Sequence, residues 1–526
     1  MRVHLELPED AGPACRARLD YAFRLFCAIY GHRPVAGPAN AEQADVTLRY
    51  RGSSSSNASG PVVWLSRGYR PRDPRQPAPP PMPYSCGGTS TVLHAAPMGE
   101  DAPDWLGEIF EWVSCADEYS VTDRDSVGRP LFAATYAGRH RLDTTIPYAG
   151  IAMQLLQREI CRAVPSTPSD PLPWDGVAGH VVVPTHDVDY FPVGRMHAAN
   201  RLVRNAVISC VMMRRPWLGV QQAVLAARMA ANGGRDPLDR VVALAKEERS
   251  RGIAASFNFL VRHSHRLDAR YTLEHRGVVE MMRWLESERM EVGLHGSYTC
   301  LDQPAGLLRE AARLRAQGFS PNGGRLHWLH FTLDQLIPAT ERAGLNYDTS
   351  IGWSERVGFR AGACFAFPPY HFEQERAATF LEIPMVVMEQ ALRPHTRRRA
   401  AEEIFEEAAN VLARSRRLGW GGISLLWHPA AFGNGWLPQE VGEVFWRLAD
   451  RRARWGDHWM KPADLLGVAR ERYVHAGLLP AEKPSPPEEA VEEWSDAAAR
   501  TKTNGPRGYR TEPAMVALAQ DSLKKA

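Results

Sequence analysis

Short apolar runs that end in polar side chains recur through the middle of the chain. The clearest are HVVVPTHDVD at 180–189, EVGLH at 291–295 and ISLLWH at 423–428. Apolar runs of this length are typical of buried strands. Stretches of helical periodicity lie between the apolar runs, at 277–289, 306–317 and 400–413. This alternation of strand and helix predicts an α/β protein with a parallel sheet.

The polar ends of three predicted strands carry residue types suited to one metal site. Asp187 and Asp189 are two residues apart, so in an extended segment both carboxylates point to the same side. His295 and His428 end the other two runs. Because parallel strands present their carboxyl ends on one face, we expect these side chains to meet. A catalytic zinc ion takes three such ligands and keeps one position open for water, which suits hydrolysis of an amide or ester.

Four motifs in this order resemble those of the NodB-homology polysaccharide deacetylases, also called carbohydrate esterase family four. The first, THDVD at 185–189, stands where that family has Thr-Phe-Asp-Asp or an Asp-x-Asp variant. The resemblance implies that Asp187 is the catalytic base and Asp189 a metal ligand. The family's second motif is His-Ser-x-x-His, and the similar HGSYT at 295–299 keeps His295 as a ligand.

The third and fourth motifs add an arginine and a histidine to the predicted site. In RLHW at 325–328, Arg325 matches the family's arginine that orients the base. LLWHP at 425–429 resembles the final Leu-x-His motif, which makes His428 the general acid that protonates the leaving amine. With GFRAG at 358–362, the resemblance extends to one branch of bacterial deacetylase-like proteins. We predict substrate contacts for three residues of these motifs: Tyr298, Arg360 and Trp427.

Thr299 stands where the family has its second metal-binding histidine, so the third ligand is expected elsewhere. His327 is the first candidate, because it lies two residues after Arg325 and a strand that aims one of them at the site aims both. Other histidines remain open as alternatives, namely His186, His263, His265 and His330. Thr299 itself could hydrogen-bond a water molecule at the metal.

Each of these residues also has a purely structural interpretation. Asp187 and Asp189 could cap the helix that follows them, because aspartate accepts hydrogen bonds from free amide groups there. Arg325 could pair with a surface carboxylate. Arg360 could hold a substrate carboxylate or phosphate in its planar fork, and a structural ion pair is an equal alternative. The order of the four motifs favours the catalytic interpretation for the two aspartates and the two strand-end histidines.

Composition narrows the class of protein. The chain has 526 residues, more than the roughly 250–300 at which one hydrophobic core stops growing, so we expect more than one domain. Its net charge of +3 argues against a dedicated nucleic-acid surface. The eight cysteines include no Cys-x-x-Cys pair, so reduced thiols are expected. The N-terminus lacks the apolar core of a secretory signal, and we predict a cytoplasmic enzyme with no membrane span.

The predicted organisation has three parts. Residues 1–175 are expected to form a smaller α/β accessory domain. The resemblance implies an irregular (β/α) barrel of the NodB-homology type over 176–475. The segment 476–526 becomes polar and proline-containing, so we expect a flexible tail.

The predicted function is that of a metal-dependent hydrolase that removes an N-acetyl or O-acetyl group from a sugar or glycan intermediate. Its divalent metal is expected to be zinc, with cobalt, manganese or nickel as alternatives. Two other functions remain open. A glycosidase could use paired carboxylates, such as Asp187 and Glu382, and a noncatalytic carbohydrate-binding protein would explain Thr299. The sequence indicates no protein partner and no oligomeric state.

Overall fold

The computed structural model of the protein describes most of the chain. The described residues are 1–35, 42–53, 60–69, 71–97, 101–191, 195–211, 214, 216–232, 239–392, 400–433 and 439–482. Most of the predicted tail, residues 483–526, therefore lies outside them.

The N-terminal residues form a small parallel sheet covered by helices. Its strands are β1 Arg2–Glu6, β2 Arg33–Val35, β3 Val46–Tyr50 and β4 Val62–Leu65, in the order β2-β1-β3-β4. An antiparallel pair follows, β5 Met82–Cys86 and β6 Thr89–Leu93. The helices are α1 Pro13–Tyr30, α2 Trp105–Val113, α3 Tyr136–Arg139 and α4 Tyr148–Ala163. Helix α1 ends at Gly31, whose φ of 69° is a left-handed conformation that glycine adopts without a steric penalty.

The remaining strands and helices alternate over much of this region, as the apolar pattern predicts, but three helices follow one another at 195–250 and five strands follow one another at 347–388. The strands are β7 His180–Val188, β8 Ser256–Phe259, β9 Glu291–Gly296, β10 Gly323–Leu326, β11 Tyr347–Asp348, β12 Tyr370–His371, β13 Arg376–Ala377, β14 Leu381–Glu382, β15 Met385–Met388, β16 Gly421–Leu426 and β17 Asp457–Trp459. The helices are α5 Arg195–Val211, α6 Pro216–Asn232, α7 Val241–Ser250, α8 Arg276–Ser287, α9 Gly306–Ala316, α10 Leu333–Arg342, α11 Ala401–Leu418, α12 Gln439–Trp455 and α13 Pro462–His475.

These strands build one curled parallel sheet, which is compatible with the predicted (β/α) barrel. Its order is β14-β11-β10-β9-β8-β7-β16-β15, with β17 paired to the start of β7. All nine residues of β7 are buried, because the strand lies inside the sheet and both of its faces are covered. The short strands β12 and β13 form a separate antiparallel pair.

The continuous segment 381–388 joins the two ends of the sheet. Its beginning, β14, pairs with β11, and its end, β15, pairs with β16. A further bridge links Gly352, just after β11, to Met385 of β15. The strand pairings therefore run in a ring, and the carboxyl ends of its parallel strands face the same way.

The N-terminal sheet and the curled sheet share one hydrophobic core. A single cluster of buried side chains extends from Val3 to Leu479. Polar contacts cross between the two regions as well, because the Tyr21 hydroxyl donates to the Pro368 carbonyl at 2.7 Å. A boundary between two domains at residue 175 stays a prediction.

Two further findings concern the cysteines and the helices. All eight cysteines are unpaired thiols. Within the described ranges, no helix combines the length and the apolar character needed to cross a bilayer.

Candidate metal centre

Asp189, His295 and His327 meet at the carboxyl ends of neighbouring strands. Asp189 follows β7, His295 lies in β9, and His327 begins a tight turn after β10. His295 Nε2 is 3.3 Å from Asp189 Oδ1, and His327 Nε2 is 3.6 Å from the same oxygen. Their three candidate ligand atoms all lie within 4.8 Å of one another. The structure thus brings together the three residues that the sequence predicts as ligands.

Hydrogen bonds at Nδ1 orient the two histidines of this cluster. His295 Nδ1 lies 2.8 Å from the backbone carbonyl of Arg325, and His327 Nδ1 lies 3.2 Å from a carboxylate oxygen of Asp268. Each Nδ1 therefore donates its hydrogen to an oxygen, which leaves Nε2 as the atom with a lone pair. This arrangement, with Nδ1–H bound to oxygen and Nε2 turned to a common point, is typical of metal-binding histidines.

Two atoms of the cluster are buried without a hydrogen-bond partner. They are Asp189 Oδ1 and His295 Nε2. Buried polar atoms in folded proteins are nearly always satisfied, because leaving one unpaired costs about 1–3 kcal/mol. A divalent cation would satisfy both atoms at once. Two imidazole nitrogens and one carboxylate oxygen form a donor set that suits zinc, cobalt or nickel.

Neighbouring charges keep the Asp189 carboxylate ionised. Burial raises its pKa, but His327 and His428 outweigh that effect and hold the pKa well below its usual value. Burial likewise lowers the pKa of His295, but Asp187 and Asp189 reverse the shift and raise it. The histidines thus balance the charge of these carboxylates. A bound cation would take over that role.

Asp187 lies beside the cluster and is held rigidly. Arg325 Nη1 donates to Asp187 Oδ1 at 3.0 Å, and Asn258 Nδ2 donates to the same oxygen at 2.8 Å. The other oxygen, Oδ2, faces His295 Nε2 at 3.8 Å. Burial raises the pKa of Asp187, but Arg325, followed by the nearby histidines, lowers it below the usual value. Gly293 leaves room for Asn258, because a Cβ there would stand 2.1 Å from the Asn258 side-chain oxygen.

His428 lies on the other carboxylate oxygen of Asp189. Its Nε2 is 3.3 Å from Asp189 Oδ2, and its Nδ1 is 2.7 Å from Glu389 Oε1. Burial lowers the pKa of His428, but the carboxylates of Glu389 and Asp189 outweigh it and raise the pKa well above the usual value. The imidazole is therefore positioned to carry a proton that it can release.

Thr299 does not join the cluster. Its hydroxyl lies 3.0 Å from the Ser264 hydroxyl. His186 is directed elsewhere as well, since its Nε2 lies 2.8 Å from Glu248 Oε1 in the core. His263 Nδ1 lies 3.0 Å from the backbone carbonyl of Ala269. His327 thus stands out among the candidates for the third ligand.

The last two alternative histidines pack against Tyr298. The centroids of the His265 and His330 rings lie 4.5 Å and 4.1 Å from that of the Tyr298 ring. Both rings are nearly parallel to it, at interplanar angles of 17° and 7°. Tyr298 itself is half-buried and follows His295 by three residues. It stays a candidate for substrate contact at the rim of the site.

The side chains of Arg360 and Trp427 both make hydrogen bonds within the protein. The Arg360 guanidinium donates from Nε to Glu118 Oε1 at 2.8 Å and from Nη1 to the Gly352 carbonyl at 3.0 Å. Its fork is therefore occupied by a structural ion pair. The Trp427 side chain is fully buried, and its N–H donates to the Val441 carbonyl at 2.9 Å. The ring exposes no surface in this structure, and a contact between Trp427 and substrate stays a prediction.

Glu382, the partner of Asp187 in the glycosidase alternative, is not accessible to a substrate. Glu382 is completely buried, and its Oε1 accepts a hydrogen bond from the Ile351 amide at 2.9 Å. Burial, followed by the neighbouring Asp348, raises its pKa well above the usual value. Glu382 is therefore a core group with no surface available to a substrate.

Sequence reasoning missed three residues that hold the site together: Asn258, Asp268 and Glu389. Two of them carried a usable signal. Glu389 directly follows the apolar strand β15, as the strand-end pattern would require. Asn258 is the polar member of an alternating strand, SFNF. Asp268 lies in a loop after β8, where no periodicity marks it.

The chain matches no protein-family model and no curated protein. Among solved structures, it is similar to the crystal structure of a candidate polysaccharide deacetylase from Mycobacterium smegmatis. The two chains share 15% identity with a TM-score of 0.36, over 61% of this chain and 99% of the other. At these values the similarity establishes neither a common fold nor a common activity.

Proposed function

We propose that the protein is a metal-dependent hydrolase that removes an acetyl group from nitrogen or oxygen on a sugar or glycan intermediate. One observation carries the proposal: Asp189, His295 and His327 converge on one point, with the buried carboxylate of Asp187 on one side and His428 beside Asp189. Hydrolysis of an acyl amide needs a base for the attacking water and an acid for the leaving nitrogen.

The three converging residues would hold a divalent metal ion, with zinc, cobalt, manganese and nickel as candidates. When bound, such an ion supplies a Lewis acid that polarises the acyl carbonyl and acidifies water. Asp187 is the base in this scheme. Arg325 and Asn258 both donate to its Oδ1, so Oδ2 is the atom that accepts the proton of the attacking water.

His428 is the acid in this scheme. Glu389 holds its Nδ1–H, which directs Nε2 toward the site and stabilises the charged imidazolium. The proton on Nε2 passes to the leaving nitrogen as the acyl bond breaks. Asp187 and His428 thus divide base and acid between two elements, the end of β7 and the segment after β16.

The carbohydrate part of the proposal rests on the resemblance of the four sequence motifs. The half-buried Tyr298 supports it, since an aromatic residue with a polar tip at the rim suits a sugar ring. Another acyl amide or ester would use the same base and acid.

The test is metal content together with acetate release. Purified wild-type protein is analysed for bound metal by mass spectrometry and assayed on a panel of N-acetyl and O-acetyl sugars. The variants are Asp189→Ala, His295→Ala and His327→Ala. Near-stoichiometric metal in the wild type, lost in all three variants together with acetate release, is the expected result.

Thr299→Ala is the matched control, because Thr299 lies close in sequence to His295 but bonds to Ser264 outside the cluster. It should keep both metal and activity. Wild-type protein that binds no metal even when metal is added, and releases no acetate, would overturn the proposal. Sugar binding without turnover in that preparation would instead favour the noncatalytic interpretation.

A further inference from the structure

The insertion after Asp189 forms a helical hairpin from α5 and α6. The helices pack antiparallel: Gly219 of α6 lies against Cys210 near the end of α5, and Leu202 clusters with Ala226 farther along both helices. The same small cluster includes Tyr190, the residue after Asp189. The base of the hairpin therefore starts beside the metal centre, and the ends that meet at residues 211 and 216 form its tip.

The outward faces of this hairpin carry large apolar side chains in water. On α5, Val203, Val207 and Val211 recur at every fourth position and expose 51%, 56% and 71% of their surface. At the start of α6, Trp217 is 73% exposed and Val220 is 50% exposed. Residues three or four apart share one face of a helix, so each helix presents an apolar stripe. Exposure is greatest at the tip, where a folded soluble helix normally carries charge.

The charges of the hairpin are of one sign. The segment 195–232 contains six arginines and neither aspartate nor glutamate, within a chain whose net charge is only +3. Arg214, between the two helices at the tip, is exposed. An apolar stripe with arginine beside it and no acidic residue is the pattern of helices that bind an anionic membrane surface.

We propose that the tip of the α5–α6 hairpin docks on an anionic lipid bilayer, with Val211 and Trp217 among the headgroups and Arg214 near the lipid phosphates. Tryptophan suits this depth, because its ring is apolar and its N–H is polar. A second copy of the chain is a poorer occupant, since self-docking would set one group of arginines against another. The proposal goes beyond the hydrolase activity and does not depend on it.

Vesicle co-sedimentation of the full-length protein tests the proposal. The vesicles are phosphatidylcholine alone and phosphatidylcholine mixed with phosphatidylglycerol. Wild type should sediment with the mixed vesicles, more weakly as salt is added, and far less with phosphatidylcholine alone. The double variant Val211→Ser, Trp217→Ser should lower the partition coefficient about tenfold or more, and Arg214→Gln about fivefold. These side chains are exposed, so circular dichroism should show unchanged folding.

Trp64→Ser is the matched control. Trp64 is also an exposed tryptophan with arginines over its ring, Arg49 at 5.4 Å and Arg51 at 5.9 Å, but it lies in β4 of the N-terminal sheet. It should leave vesicle binding unchanged. The proposal is overturned if wild type does not sediment with the mixed vesicles, or if the hairpin variants bind as well as wild type. A dimer in light scattering that the double variant dissociates would also overturn it in favour of self-association.

Discussion

Arg325 Nη1 lies 3.0 Å from Asp187 Oδ1, and the two side chains expose only 1% and 3% of their surface. The same guanidinium donates from Nη2 to the Thr185 hydroxyl at 2.9 Å and from Nε to the Thr349 carbonyl at 3.0 Å. Three fixed contacts leave the arginine one orientation. The position of the Asp187 carboxylate is therefore set by a group that never needs to touch substrate.

Arg325→Lys should reduce kcat by about a hundredfold while KM changes little. Lysine keeps the charge, but a single ammonium cannot make the forked contacts to Asp187 and Thr185, and small displacements of a reacting group carry losses of that size. Steady-state kinetics and metal analysis on the same preparations check this. A variant that loses metal, or loses activity only through KM, would contradict a positioning role.

Asp268→Asn should weaken metal binding by about 10–100-fold, because the asparagine amide holds His327 Nδ1 less strongly than a carboxylate does. Competition with a chelator measures the change. Asp302→Asn is a suitable comparison, since Asp302 lies shortly after the HGSYT motif at 295–299 and is not one of the three clustered residues. Equal metal affinities for the two variants would argue against His327 as a ligand.

Glu389→Gln should affect substrates according to their leaving group. Glutamine cannot stabilise the imidazolium of His428, so proton delivery to a poor leaving group is impaired, by about 100-fold or more on an N-acetyl sugar. An activated aryl acetate has a leaving group that needs no proton and should lose much less. A similar loss on both substrates would place Glu389 in metal or substrate binding instead.

Glu291→Gln should flatten the dependence of stability on pH. Glu291 begins β9, at the opposite end of the strand from His295, and burial raises its pKa from the usual 4.5 to about 7. A raised carboxyl pKa adds stability that is fully present below pH 4.5 and is lost as pH rises through 7. The contribution is on the order of 3 kcal/mol. Urea unfolding of wild type and variant across this range measures it.

The exposed Glu471 supplies the comparison, because its side chain is 74% exposed and Glu471→Gln should leave the pH profile unchanged. If Glu291→Gln has the same profile as wild type between pH 4.5 and 7, the carboxyl of Glu291 is not protonated in the folded state.

Glu118→Gln should lower stability by about 3–5 kcal/mol, because it leaves the buried Arg360 guanidinium without its counter-charge. Thermal unfolding measures the loss. If Arg360 instead served substrate binding, the variant would keep its stability and raise KM.

The strand ends could be predicted from the sequence because each apolar run ends at a polar side chain that can bind a metal or transfer a proton. Asp187, Asp189, His295 and His428 follow from that rule alone. His327 reaches the cluster by a route that the rule does not contain. Strand β10 ends at Leu326, and His327 lies in a turn whose next residue, Trp328, has φ 61°, a left-handed backbone.

Partners that are distant in sequence could not be predicted. For Arg360 the sequence left anion binding and a structural ion pair as equal alternatives, and the ion-pair partner, Glu118, lies more than two hundred residues earlier. Trp427 was predicted to contact substrate, whereas its side chain is fully buried and its N–H donates to the Val441 carbonyl. Pattern and motif describe single segments, whereas burial depends on what packs against them.

Because the strand pairings run in a ring, the sheet is complete only after its last strands have been synthesised. Until the segment 381–388 and then β16 have been made, β7 and β11 present unpaired edges that can associate with other chains. The site has the same requirement, since Asp189 and His428 follow the paired strands β7 and β16 but lie more than two hundred residues apart in sequence. A chain that stops before β16 would therefore lack His428 and leave one edge of β7 unpaired, and we expect such a fragment to aggregate.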